Sequence, residues 1–243
     1  MDCNPNFAQT ALTHGMSEGT YSSLTGRHSL RKTYGRNLGN TPVIAVDVGG
    51  TVEDTWPAKR SWFATKGFDI GQIPIGRREI VKRVGGNEDL YKDMVSDVYS
   101  DAKIASHHLT DGCSEALRHL AMRFRVILLT SRPTDQYLIT LEWLGSLGIG
   151  GLIDDLVCVG PSRRKLDWCR AINASIVVDD DMRHLEAVKM EEKIRAIHFG
   201  RGADPTAAMG SGVLSACTWP DVVTLVGGLM PTAERAKSLG VQL

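Results

Sequence analysis

The feature that most constrains this chain is a rhythm of short apolar runs, each closed by Asp, Thr or Gly and separated by helical patterns. Val43-Ile44-Ala45-Val46 closes on Asp47 and two glycines, and Arg125-Val126-Ile127-Leu128-Leu129 closes on Thr130-Ser131. Ala174-Ser175-Ile176-Val177-Val178 closes on Asp179-Asp180-Asp181, and Arg195-Ala196-Ile197-His198-Phe199 on Gly200. Runs this short and this apolar read as strands buried on both faces. Between them, helical spacing places Ala116, Leu117 and Leu120 on one face, and Leu138, Leu141, Trp143 and Leu144 along Thr134 to Leu147. Further helices are expected over Arg164 to Ile172 and Met182 to Met190. Strand and helix in alternation predict a parallel sheet covered by helices, with ligands at the carboxyl ends of the strands.

Two stretches depart from the rhythm. Residues 1–40 are rich in Ser, Thr, Gly and Asn without a sustained apolar period, which predicts a loosely held arm. Residues 55–109 carry helical patterns at Arg78–Val84 and Leu90–Tyr99, and read as an inserted helical cap. The core is then 41–54 with 110–230, and 231–243 is a tail. The 28 basic and 28 acidic side chains cancel, which argues against strong general attraction to nucleic acid or anionic membrane. No apolar run reaches the roughly 18–20 residues of a membrane helix. Met1 to Pro5 lacks the basic start and apolar stretch of a secretory signal, and the five scattered cysteines form no Cys-x-x-Cys pair. A soluble protein of the reducing cytoplasm is expected.

Each polar cluster has a structural reading. Asp47 to Thr51 can be a turn, Thr130-Ser131-Arg132-Pro133 a helix cap, Lys165 a surface lysine, and Asp179 to Asp181 a helix N-terminus. Their order and their common place at strand ends favour a shared site. In that order they resemble the four motifs of the haloacid dehalogenase-like (HAD) hydrolases: Asp47-Val48-Gly49-Gly50-Thr51, then Thr130-Ser131, then Lys165, then Asp179-Asp180. Cys217 to Val223 is similar to the last strand and helix of many members, so the resemblance covers about residues 42–229. The Thr-Ser-Arg-Pro turn and the short step from Lys165 to Asp179 resemble the deoxyribonucleotidase-like branch.

The resemblance implies an α/β fold, a Rossmann-like parallel sheet flanked by helices with a small helical cap. It implies a Mg²⁺-dependent phosphohydrolase acting on a small phosphomonoester. Asp47 would attack phosphorus and form an aspartyl-phosphate. Lys165 would serve it catalytically and, with Thr130 and Ser131, bind the phosphate. Asp47, the carbonyl of Gly49, Asp179 and Asp180 would hold the Mg²⁺. One position departs from the pattern: Gly49 stands where most members have the Asp that protonates the leaving oxygen. Loss of a general acid–base costs about 10²–10⁴ in rate, so impaired or specialised catalysis is expected and Gly49→Asp is expected to raise turnover. Glu53 and Asp54 are not expected to replace that acid. A degenerate member that binds a phosphorylated ligand or a protein without turnover is the alternative. Asp-x-Gly-Gly-Thr also suits actin-type sugar kinases, but four ordered motifs favour the first reading over one shared motif.

In the cap, Lys59, Arg60, Lys66, Arg77, Arg78, Lys82 and Arg83 face only Asp69 and Glu79. They read equally well as an electropositive lid or as solvated helix faces. Trp56, Trp62 and Phe63 are expected to pack within the cap rather than stack on a base. His107-His108 reads as linker, and Cys113 and Cys169 as buried thiols.

Overall fold

The computed structural model describes residues 41–160, 165–201 and 212–229. The expected arm and tail lie outside the described residues. Six strands form one parallel sheet: β1 (Val43–Val46), β4 (Arg125–Thr130), β5 (Asp155–Cys158), β6 (Ala174–Asp179), β7 (Arg195–Phe199) and β8 (Leu214–Ala216), in the order β5-β4-β1-β6-β7-β8. Every pairing in this sheet is parallel. A second, two-stranded antiparallel pair joins β2 (Glu53–Asp54) to β3 (His108–Leu109).

The period-two alternation of β1 explains why both sheet faces are covered. Ile44 and Val46 enter one apolar cluster with Leu117 and Leu120 of α5 (Cys113–Ala121), Trp143 and Leu144 of α6 (Tyr137–Ser146), and Trp219 and Val222 of α9 (Trp219–Leu229). Val43 and Ala45 enter the opposite cluster with Leu166 and Cys169 of α7 (Lys165–Ala171) and Leu185 and Val188 of α8 (Met182–Val188). Helices on both faces of a parallel sheet supply the apolar cover that such strands need.

Four helices stand between β2 and β3: α1 (Trp56–Thr65), α2 (Arg77–Arg83), α3 (Glu88–Val98) and α4 (Asp101–Ile104). They gather their own apolar cluster from Trp56, Phe63, Ile70, Ile80 and Met94, with Trp62 packed against it. The three aromatic residues thus pack within the cap. Asn87 starts α3 by accepting the Leu90 N–H at 2.9 Å, and Glu88 and Asp89 complement the helix dipole in its first turn.

Three expectations need correction. Leu138 does not join the core but is 66% exposed, because a 3₁₀ turn over Thr134–Gln136 precedes α6 and the buried stripe becomes Thr140, Trp143 and Leu144. His107-His108 is not a linker: His108 belongs to β3, and His107 is buried with Nδ1 2.7 Å from Glu53 Oε1. Lys59, which read equally well as part of an electropositive lid or of a solvated helix face, is only 8% exposed, so the solvated reading fails for it. No helix among the described residues is long and apolar enough to cross a membrane.

Candidate active site

Asp47 is the first residue after β1, and its N–H donates to Val178 O of β6 at 2.9 Å. Because Val46 pairs with Val178, Asp47 and Asp179 leave the sheet side by side. This is also where the strand order reverses direction, with β4 on one side of β1 and β6 on the other. Crevices of that kind receive ligands in open α/β sheets. The loop after Asp47 turns back at once: Gly50 N–H donates to Glu53 O at 2.9 Å, and Glu53 N–H to Val48 O at 2.8 Å. Gly50 has φ +100°, and a Cβ there would stand 2.1 Å from Asp180 Oδ2, so this turn requires glycine.

Lys165, buried at the start of α7, links the carboxylates. Its ammonium donates to Asp47 Oδ1 at 2.5 Å and to Asp179 Oδ2 at 2.7 Å. Asp179 also accepts the Asp181 N–H at 2.9 Å and lies 3.1 Å from His184 Nδ1. Burial disfavours its charge, but Lys165 and His184 outweigh burial and hold its carboxyl well below the usual range. Burial pushes Asp47 up to about 6, with Lys165 opposing and the Asp179 charge adding to the rise. Asp180 is pushed up to about 8 by burial and then by the charges of Asp47 and Asp179.

Ligand atoms of Asp47, Asp179 and Asp180 lie within 4.8 Å of one another. Three hard oxygen donors this close suit a small divalent cation, and a carboxylate driven up by its like-charged neighbours is what added positive charge would relieve. Thr130 ends β4 at the same edge of the sheet, its Oγ1 accepting the Arg132 N–H at 3.3 Å, and half-buried Ser131 follows it. The structure therefore brings Asp47, Lys165, Asp179 and Asp180 together, with Thr130 and Ser131 on the neighbouring strand end. Gly49 follows in the Asp47 loop with ordinary backbone, outside the left-handed region that Gly50 occupies.

Sequence reasoning missed four neighbours. His184 braces Asp179 from α8. Arg132 turns inward and donates to Glu53 Oε1 and Oε2, both at 2.6 Å, where Glu53 also meets His107. Tyr99, the residue closing α3, lies against Gly49: its Cε1 is 3.1 Å and its hydroxyl 3.3 Å from where a Cβ of residue 49 would stand. Lys59 has its ammonium 5.6 Å from the Tyr99 ring centroid. Burial disfavours the Lys59 charge, but Tyr99, Tyr91 and Asp180 around it outweigh burial and raise its pKa. The basic, helix-forming composition of the cap hides Lys59 among exposed cations, and nothing in the chain ties Tyr99 to residue 49.

No protein-family model and no curated protein sequence matches the chain. Solved structures do. A predicted phosphatase from Clostridium acetobutylicum superposes with a TM-score of 0.56 at 12% identity, over 78% of this chain and 99% of that one. A HAD family hydrolase from Deinococcus radiodurans, with bound phosphate and sodium, gives 0.52 at 11% identity over 78% and 97%. A haloacid dehalogenase-like hydrolase from Streptococcus pneumoniae gives 0.50 at 13% identity over 76% and 98%. Near-complete coverage of these neighbours removes the actin-type reading of Asp47 to Thr51. The parallel sheet covered by helices on both faces has the fold of the haloacid dehalogenase-like hydrolases.

Proposed function

We propose that the protein is a Mg²⁺-dependent phosphohydrolase that acts on a small phosphomonoester through an aspartyl-phosphate on Asp47. The observation that carries this reading is a buried aspartate, Asp47, held by Lys165 beside Asp179 and Asp180 at the strand ends of this fold. The phosphate bound by the Deinococcus neighbour and the phosphatase description of the Clostridium one support it.

Asp47, Asp179 and Asp180, with the Gly49 carbonyl, are the groups that would hold Mg²⁺. Once bound, Mg²⁺ supplies positive charge to the oxygens of the transferring phosphoryl group. Asp47 would supply the carboxylate oxygen that attacks phosphorus, and Lys165, bonded to its Oδ1, orients it and would offer an ammonium to the phosphate. Thr130 and Ser131 add hydroxyl donors from the next strand. His184 and Lys165 keep Asp179 ionised, so it does not compete with Asp47 for a proton. The binding-only alternative is favoured by one observation, the absence of a side chain at Gly49. A screen of phosphorylated metabolites with and without Mg²⁺ separates the two. Saturable turnover that Asp47→Asn abolishes supports the hydrolase, and thermal stabilisation by a phosphorylated ligand without turnover supports the binder.

A further inference from the structure

Breaking a phosphate ester of an ordinary alcohol needs a proton for the departing oxygen, because an alkoxide is a poor leaving group. Close to Asp47, the protonated side chains among the described residues are few. Lys165 is engaged by two carboxylates, His184 is engaged by Asp179, Asp180 would give up its proton to Mg²⁺, and Gly49 has no side chain to offer. The space beside Gly49 is filled instead from the cap by the phenol of Tyr99.

We infer that Tyr99 is the general acid–base of this site, with Lys59 beside it to balance the charge the phenol leaves behind. This rests on the hydrolase reading above. Three observations place the ring deliberately. Its backbone carbonyl accepts from Gln136 Nε2 at 2.7 Å, tying the end of α3 to the turn after β4. Two cations lie over its ring, Lys59 at 5.6 Å and Arg132 at 5.9 Å from the centroid. Its hydroxyl donates only a long bond, 3.4 Å, to Thr55 Oγ1, so the proton can be turned to a better acceptor. Gly49 is the complement of this placement, since any Cβ there would press on the ring at 3.1 Å.

In the first step Asp47 forms a bond to phosphorus, the bond from phosphorus to the ester oxygen breaks, and the Tyr99 proton passes to that oxygen. The products are the free alcohol, phosphorylated Asp47 and the Tyr99 phenolate. In the second step water attacks phosphorus, its proton passes to the phenolate, and the bond from phosphorus to Asp47 breaks. Inorganic phosphate leaves, and Asp47 carboxylate and Tyr99 phenol are restored.

The test compares wild type, Tyr99→Phe and Asp47→Asn on an alkyl phosphate and on 2,4-dinitrophenyl phosphate, whose phenolate departs without a proton. Phosphorylated Asp47 is measured by mass spectrometry after acid quench. For Tyr99→Phe, folded by circular dichroism, turnover of the alkyl ester should fall about 10²–10⁴-fold. Release of the first equivalent of dinitrophenolate should be unchanged, and phosphorylated Asp47 should accumulate because its hydrolysis lacks a base. An equal loss on both esters without phosphorylated Asp47, or no loss on either, overturns the role of Tyr99 and leaves the hydrolase reading standing. Dinitrophenolate release that survives Asp47→Asn overturns both.

Discussion

Replacing Arg132 with Met should destabilise the protein far more than its surface-like position in the Thr-Ser-Arg-Pro turn suggests. Arg132 holds both oxygens of Glu53 at 2.6 Å, and Glu53 is 0% exposed. The guanidinium also donates to Thr140 Oγ1 at 2.9 Å. Without it, the buried Glu53 carboxylate keeps only His107 as a side-chain partner among the described residues. Removing one partner of a buried pair costs about 3–5 kcal/mol, because the remaining charge is stranded. At about 2–4 °C per kcal/mol for a chain of this size, the melting temperature should fall by roughly 6–20 °C. Urea titration followed by circular dichroism at constant pH measures the loss directly. Arg132→Met combined with Glu53→Gln strands no charge and should recover at least half of it. The reasoning fails if Arg132→Met costs less than about 1 kcal/mol, the range of an exposed ion pair. It also fails if the double variant is less stable than the single one.

Asp180 should couple Mg²⁺ binding to pH. Its carboxyl is raised from 3.8 to about 8, so between those values the metal-free folded state holds a proton that the unfolded chain has lost. This contribution to stability is present at low pH and disappears as pH rises through about 8, with Asp47 acting in the same direction up to about 6. Mg²⁺ must displace that proton, so its affinity by calorimetry should rise between pH about 6 and about 8, by up to about tenfold per unit. Asp180→Asn should weaken Mg²⁺ binding and flatten this dependence, and unchanged affinity would remove Asp180 from the metal site. Gly50→Ala forces a Cβ to 2.1 Å from Asp180 Oδ2 at φ +100° and should lower stability by more than about 1 kcal/mol while weakening Mg²⁺ binding. Wild-type stability and affinity in that variant would contradict the turn geometry.

The parts of the fold that announce themselves in sequence are those where local chemistry decides. β1, β4, β6 and β7 are apolar on both faces and stop at polar residues, so each is readable by itself. β5 escapes because Asp155 opens it and only Leu156 and Val157 are buried, and β8 because it is three residues at the sheet edge. The misreading of Leu138 came from a helix that starts three residues later than its apolar pattern suggests. In the site, Asp47, Thr130 and Asp179 were legible because a strand end delivers each one. Glu53 with Arg132, Asp179 with His184, and Gly49 with Tyr99 were not. Such pairs depend on how helices and cap settle on the sheet, and a missing side chain says nothing of the ring that fills its space.

The parallel sheet also has a consequence for how the chain comes to be folded. Val43 pairs with Arg125 on one side and Ala174 on the other, so β1 is flanked on both sides only once synthesis has reached Ala174. Pairings so distant in sequence close large loops before any contact repays them, which slows folding. During that wait Val-Ile-Ala-Val offers two unpaired apolar edges, to which the same strand of another copy can add. The central position that buries β1 so completely in the native state makes it the most exposed hazard of the nascent one.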